Sequence, residues 1–259
     1  MITYTFFYVV GGDDRYYQQL YRSLRSLKRL DSRSFKVKIL DISKQYNFNS
    51  ELNIQILNLE EKVNSKEQFW KYKYLLTQNI DTDIGIYLDC DTVICYDRFK
   101  DIENFLGQGF GVIPHFYIKN FEDFKNVFNN NKFSNLNREN SFFTCGVFIY
   151  RNNKDNIKIL KDIFEMHSMG MDQSQGLYDE TYLSCVLSSK THVKLNGSFN
   201  HCSANYMPLE IENGILLGKN NFDEHFEPVF ALHGSSDRQT NGEDFTGDVK
   251  LKIQNFWNP

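Results

Sequence analysis

Two aspartates, Asp89 and Asp91, close the apolar run Ile84-Gly-Ile-Tyr-Leu88 and are followed at once by Thr92-Val-Ile94. On an extended chain residues i and i+2 share a face, so both carboxylates project into one place at the strand's end. An apolar strand has no packing use for two acids, and two acids that close repel each other unless a cation sits between them. Hard oxygen donors favour Mn2+ or Mg2+. The bland alternative is a turn in which aspartate caps the following backbone. A second acidic pair, Asp179-Glu180, opens a helical pattern, where negative charge on the positive helix terminus is worth up to about 1 kcal/mol for structural reasons alone.

The elements that must position these groups are legible in outline. Thr3 to Val10 is β-branched and aromatic and runs into the turn cluster Gly11-Gly-Asp-Asp14. Leu20, Leu24, Leu27 and Leu30 then recur at helical spacing, giving strand, turn, helix. Strands are expected at Phe35 to Leu40, Ile54 to Leu59, Ile84 to Ile94 with the two aspartates interrupting it, Gly109 to Ile113, Phe142 to Tyr150 and Val229 to Leu232, with a hairpin strand at Gly214 to Leu217. Helices are expected after the capping pattern Ser65-Lys-Glu-Gln68, at Asn120 to Phe128, Ile157 to Met169, Tyr178 to Leu187 and Val249 to Trp257. Strand and helix alternate, which makes the fold class α/β: a single domain, 1–259, with a mixed, mostly parallel sheet flanked by helices. The run before Asp89 is apolar on both faces, as a central parallel strand requires, and open α/β sheets place ligands at the carboxyl ends of such strands.

Composition narrows the function. The chain has 259 residues with 29 Lys+Arg against 33 Asp+Glu, a net charge of −4, which argues against nucleic acid as a partner. A globule of this size buries roughly three quarters of its unfolded surface. Cys90, Cys95, Cys145, Cys185 and Cys202 are odd in number and form no CxxC pair, the usage of reduced thiols in a cytoplasmic protein. Met1 to Val10 has no basic leader and is too short to span a membrane, so a lipid-linked substrate implies peripheral docking. Neither GxGxxG nor GxxxxGK[ST] occurs, so Gly11-Gly12 is not a dinucleotide or P-loop signature.

In order and spacing, these pieces resemble the GT-A (Rossmann-like) glycosyltransferases that use nucleotide-sugar donors. The likeness is closest to the retaining families of the glycogenin and lipopolysaccharide galactosyltransferase kind. Phe7-Tyr-Val-Val-Gly-Gly-Asp-Asp14 is similar to the first strand and its nucleotide-contacting loop, and Tyr87-Leu-Asp-Cys-Asp-Thr-Val-Ile94 to the metal-binding DxD strand. Phe143-Thr-Cys-Gly146 takes the place of an Asn-Ala-Gly segment, with Thr144 where the family has Asn. Tyr178-Asp-Glu-Thr-Tyr-Leu183 resembles the Asp-Glu helix start of the blood-group transferases, and Phe230-Ala-Leu-His-Gly-Ser-Ser-Asp-Arg238 the late strand that supplies a metal-binding His and a diphosphate-binding cation.

The resemblance implies a nucleotide-binding half, 1–95, ending in the DxD, and an acceptor-side half, 96–259. It implies Asp89, Asp91 and His233 as ligands of Mn2+ or Mg2+, with Asp89 shared between metal and donor. Tyr8, Val10 and Asp13 are expected at the nucleobase, Lys73 toward the donor, Arg238 at the diphosphate, and Glu180 with Asp179 at the anomeric carbon. Asp172-Gln173 rivals Glu180 for that role. The implied donor is a UDP-sugar, and the acceptor a glycan, a lipid-linked glycan or a protein. Three other readings compete. A haloacid-dehalogenase-type phosphatase would use Asp89 as nucleophile and Asp91 as acid/base, but its motif normally follows the first strand. A nucleotidyltransferase would want a basic, Gly-rich loop after the first strand, and the loop here is acidic. A non-catalytic sugar-binding module is the third.

Overall fold

The computed structural model describes residues 1–30, 35–47, 49, 51–59, 69–115, 118–128, 139–169, 178–202, 209–219 and 225–234. β1 (Tyr4–Val10) is buried along its whole length, which explains why its seven residues are Tyr, Thr, Phe and Val with no polar face. Gly12 then takes φ +99°, a left-handed turn open to glycine at no steric cost, and Asp13 caps α1 (Asp14–Ser26) by accepting from the Arg15 N–H. Leu20 and Leu24 of α1 bury against the sheet, and the helix ends one turn earlier than its leucine spacing predicts, in a 3-10 turn at Leu27–Arg29.

The chain continues through β2 (Phe35–Asp41), β3 (Ile54–Asn58), α2 (Tyr72–Thr77), β4 (Ile84–Leu88), β5 (Thr92–Ile94), α3 (Phe99–Leu106), β6 (Phe110–Pro114), α4 (Phe121–Phe128) and β7 (Phe143–Arg151). α5 (Lys154–Ser168) follows, then α6 (Tyr178–Leu187) and the short strands β8 (Val193–Lys194) and β9 (His201–Cys202). β10 (Leu209–Glu212), β11 (Ile215–Lys219), β12 (Phe226–Pro228) and β13 (Ala231–His233) complete the described elements. The main sheet has the order β3-β2-β1-β4-β7-β6-β8. Its pairs are parallel except at β7, which runs antiparallel to both β4 and β6. This is the mixed, mostly parallel sheet flanked by helices that the alternating pattern predicts.

One face of the sheet packs with α1 and α3 into a core that includes Tyr4, Phe6, Leu20, Leu24, Ile86 and Phe99. The opposite face, under α2, α5 and α6, is aromatic. Phe148 of β7 lies stacked with Tyr87, Tyr74 and Phe110 at centroid separations of 5.0, 5.7 and 5.6 Å. That block fixes the height of β4, and so of the aspartates at its end. Two small sheets, β5-β13-β9 and β10-β11-β12, sit beyond the DxD turn. The buried Arg98 ties them to the body through Asp101, Glu227, Ser198 Oγ and the Pro228 carbonyl.

Several boundaries differ from those expected, among them the run from Ile84 to Ile94, which breaks at the two aspartates into β4 and β5. The hairpin strand anticipated at Gly214 to Leu217 is β11, and its partner is β10, with Asn213 and Gly214 turning between them at positive φ. The alternation of β10 is too short and too rich in glutamate to stand out. α5 starts three residues before Ile157, because Asn153 caps it by accepting from the Asn156 N–H. The strand placed at Val229 to Leu232 is β13, which runs on to His233. The Ser65 to Gln68 cap and the Val249 to Trp257 helix lie outside the described residues.

Gly85 of β4 exposes how tightly the aromatic face is packed: a Cβ there would sit 2.2 Å from Tyr150 Cζ. That ring cannot swing away, because its hydroxyl donates to the Thr77 carbonyl. Gly85→Ala is therefore expected to cost on the order of 1–3 kcal/mol as overpacking and to lower the melting temperature by several degrees. An unchanged melting curve would show that the Tyr87–Phe148–Tyr150 face is looser than described.

Candidate active site

The site is assembled at the carboxyl end of β4. Asp89 is held from three sides: its N–H donates to the Gly146 carbonyl of β7 at 2.8 Å, Tyr87 OH donates to Oδ1 at 2.7 Å, and Lys73 Nζ of α2 lies 3.3 Å from the same oxygen. Oδ2 is left facing His233, 3.9 Å from Nε2. Asp91 lies 3.1 Å from that nitrogen. His233 arrives there because β13 pairs antiparallel with β5, which sets His233 opposite Thr92, and because the Gly234 N–H donates to the Asp91 carbonyl at 3.0 Å. Asp89, Asp91 and His233 each offer a ligand atom within 4.8 Å of the others. Two carboxylate oxygens and an imidazole nitrogen make a donor set that fits Mn2+ or Mg2+, Mn2+ the better of the two for the nitrogen.

Gly146 is what allows this approach. A Cβ on it would fall 2.2 Å from His233 Cε1 and 3.2 Å from Asp89 Oδ2. Thr144, two residues earlier on the same strand, has a buried hydroxyl that accepts from Asn200 Nδ2 at 3.0 Å. The sequence signal for Gly146 is the glycine itself, in the middle of a buried strand where it adds nothing to packing.

A second acidic pair closes on the first. Asp179, in the first turn of α6, accepts from Lys73 Nζ at 2.8 Å, so this one ammonium bridges Asp89 and Asp179. Burial opposes the charge on Lys73, but Asp179 and Asp89 outweigh it and hold its pKa well above the ordinary lysine value. Burial likewise pushes Asp179 up, and Lys73 more than compensates, so Asp179 stays below the usual carboxylate range. Glu180 differs. Burial first, then the charge of Asp179, push its pKa up to about 8, against weaker opposing pulls from Lys73 and His233. Its Oε2 has no hydrogen-bond partner among the described residues and lies 3.6 Å from His115 Nε2. His115, just past β6, was not singled out from the sequence, because a lone histidine after an apolar strand carries no local signature.

Not every expected residue reaches the site. The Tyr8 ring is fully buried under α1, its hydroxyl accepts from Ser23 Oγ at 3.0 Å, and Val10 is equally buried with its carbonyl taken by the Ile42 N–H. With both faces of β1 covered, neither side chain is open to a nucleobase, and the contact expected of them is corrected. Asp13 is exposed at the following turn. Arg238, and the rival pair Asp172-Gln173, lie outside the described residues. Cys90, Cys95, Cys145 and Cys185 are free thiols. Among the described residues no helix is long and apolar enough to cross a membrane.

No protein-family model matches the chain, and no curated protein matches it. Solved structures do. An active-site mutant of LgtC superposes with a TM-score of 0.65 at 17% identity, covering 97% of this chain and 94% of that one. The galactosyltransferase LgtC in complex with donor and acceptor sugar analogues gives 0.63 at 17% identity, over 98% and 95%. The bifunctional glycosyltransferase WbbM in its apo form gives 0.61 at 12% identity, over 91% of this chain and 46% of that one. The chain has the GT-A glycosyltransferase fold.

Two outcomes test the geometry. Unfolded chains release the Glu180 proton near pH 4.5, whereas the folded chain keeps it to about 8, so the folded state binds more protons in that window and stability falls as pH rises through it. Glu180→Gln removes this penalty: in EDTA its melting temperature is expected to exceed wild type by a margin that widens from pH 5 to about 8, to more than about 3 °C, and then levels. A constant margin would mean that Glu180 is not held protonated. Gly146→Ala is expected to remove most of the thermal shift that Mn2+ gives the wild type, since the new methyl displaces His233; a full Mn2+ shift in the variant would separate His233 from the metal cluster.

Proposed function

We propose that the chain is a metal-dependent glycosyltransferase that moves a sugar from a nucleotide-sugar donor, a UDP-sugar, to a glycan, lipid-linked glycan or protein acceptor, with retention of configuration. The observation that carries the reading is the convergence of Asp89, Asp91 and His233 with the Lys73–Asp179–Glu180 group at one end of the β4 strand, on a fold shared with LgtC. The complex of LgtC with sugar analogues supports a donor and an acceptor for this chain as well. In this reading residues 1–95 hold the nucleotide and 96–259 frame the acceptor.

Asp89, Asp91 and His233 would hold Mn2+ or Mg2+, which on binding supplies positive charge against the diphosphate leaving group. Asp13, exposed at the turn after β1, hydrogen-bonds the nucleoside, and Arg238 clamps the diphosphate with its fork of donors. Lys73 holds Asp89 and Asp179 in place and keeps Asp179 ionised, and so fixes which Asp89 oxygen faces the metal. Glu180 is the group beside the anomeric carbon. As a carboxylate in a dry pocket it stabilises the positive charge that develops as the glycosidic bond lengthens, or bonds transiently to that carbon before the acceptor hydroxyl displaces it. The covalent role gives retention by two successive inversions, and the charge-stabilising role does so where the acceptor hydroxyl attacks from the face the diphosphate leaves.

Asp89 is badly placed for the phosphatase reading. One of its oxygens takes hydrogen bonds from Tyr87 and Lys73, and the other faces His233, so neither is a free nucleophile. The strand before it is also the fourth of the described strands and not the first.

The test is a melting panel of UDP, GDP, CMP, dTDP and several UDP-sugars, each with Mn2+ and with EDTA. A ligand at about a hundred times its dissociation constant adds about 2.7 kcal/mol, which moves the midpoint of a chain this size by several degrees. A shift for uridine nucleotides that vanishes in EDTA, is lost in Asp91→Asn, and persists in Glu180→Gln while turnover falls at least about a hundredfold is the expected result. No shift with any nucleotide, or wild-type transfer by Asp91→Asn, would sink the proposal.

A further inference from the structure

The Ile118 N–H donates to His115 Nδ1 at 3.1 Å. A nitrogen that accepts from a backbone N–H carries no proton of its own, so the neutral ring must bear its hydrogen on Nε2. The ring is 7% exposed and packs edge-on to Phe142. Burial lowers its pKa to about 4, so it is neutral in the cell's range. Nε2 is the atom that faces Glu180 Oε2 at 3.6 Å, and that oxygen is buried with no hydrogen-bond partner among the described residues. The backbone after β6 thus orients a neutral N–H donor at the unpaired oxygen of the buried acid, about half an ångström beyond hydrogen-bond length.

We infer that His115 is the positioning residue of Glu180, its Nε2–H closing onto Oε2 as the carboxylate ionises. The role rests on Glu180 acting as proposed above. It follows from what else faces that carboxylate. Asp179 on the same helix repels it; Lys73 of α2 is committed to Asp179 and Asp89; His233 of β13 lies toward Asp91; the Cys145 N–H of β7 also pulls toward ionisation. Among the described residues, His115 is the group aimed at Oε2 itself. Because Nδ1 is occupied, the ring can give a hydrogen bond to Glu180 but cannot take its proton, so His115 orients the carboxylate and does not serve as a base.

Two measurements on the whole chain decide it, the first without any activity. In EDTA at pH 9, where Glu180 is ionised, a double-mutant cycle of His115→Phe and Glu180→Gln read by melting is expected to show coupling: His115→Phe lowers the midpoint by about 5 °C in the wild-type background and by clearly less in the Glu180→Gln background. Long-range proton–nitrogen spectra of ring-labelled protein, assigned by the resonance lost in His115→Gln, should give the Nε2–H tautomer. Under turnover, His115→Phe is expected to lower kcat by about 10- to 100-fold with donor KM unchanged, and His115→Gln, which keeps an N–H at that distance, to recover most of it. Additive melting shifts, or an Nδ1–H or doubly protonated ring at pH 7, would overturn the inference. Wild-type protein that transfers no sugar while the cycle still couples would overturn the proposed activity and leave the His115–Glu180 contact standing.

Discussion

Four carboxylates, Asp89, Asp91, Asp179 and Glu180, converge where β4, α6 and β13 meet, and their mutual repulsion is the constraint to which the surrounding structure answers. Lys73 is the buried counter-charge, its ammonium almost fully covered and placed between Asp89 and Asp179. Burying such an ion alone would cost several kcal/mol, and only two close partners repay that. The elements nearby hold the ammonium in place. The Lys73 carbonyl accepts from Thr77 Oγ1, the ammonium rests over the Tyr87 ring, and Tyr74 OH donates to the Asp179 carbonyl. One short helix thus locks the DxD strand to the start of α6.

Antiparallel β7 is the second half of that lock. By running against β4 it brings Gly146 beside Asp89, and its register slips against β6 between Val112 and Ile113 just before the site. A side chain at 146 would push His233 out, so the close approach of three potential metal ligands depends on a residue that contributes no chemistry. On the far side, the pairing of β13 with β5 delivers His233 from over a hundred and forty residues away in sequence. The histidine is therefore placed by strand register and not by its own loop, which gives the donor set its rigidity.

What was legible in the sequence was what local pattern encodes. The alternation of strand and helix, the apolar run before Asp89, the i,i+2 spacing of the aspartates and the acidic start of α6 each depend on neighbours a few residues away. What escaped depends on which faces are covered. β1 reads the same whether one or both of its faces are buried, so Tyr8 looks like a stacking platform until α1 is seen to lie over it. His115 and Gly146 acquire meaning only from partners 65 and 87 positions on, Glu180 and His233, and no short-range pattern marks either.

The two neighbours Asp179 and Glu180 show how one helix start yields two different acids. Both side chains are 15% exposed and both sit at the same positive helix end, so position on the helix does not distinguish them. The difference is the cation. Asp179 touches the Lys73 ammonium and stays charged, and that charge then adds to the burial that holds Glu180 protonated. His233 already pulls Glu180 the other way, and any cation seated by Asp89, Asp91 and His233 pulls with the same sign. A cation filling that donor set therefore favours the ionised form of Glu180, so that ionisation of the acid follows seating of the cation. That ordering needs no moving part, because it follows from the fixed distances between one lysine, one histidine and two adjacent acids.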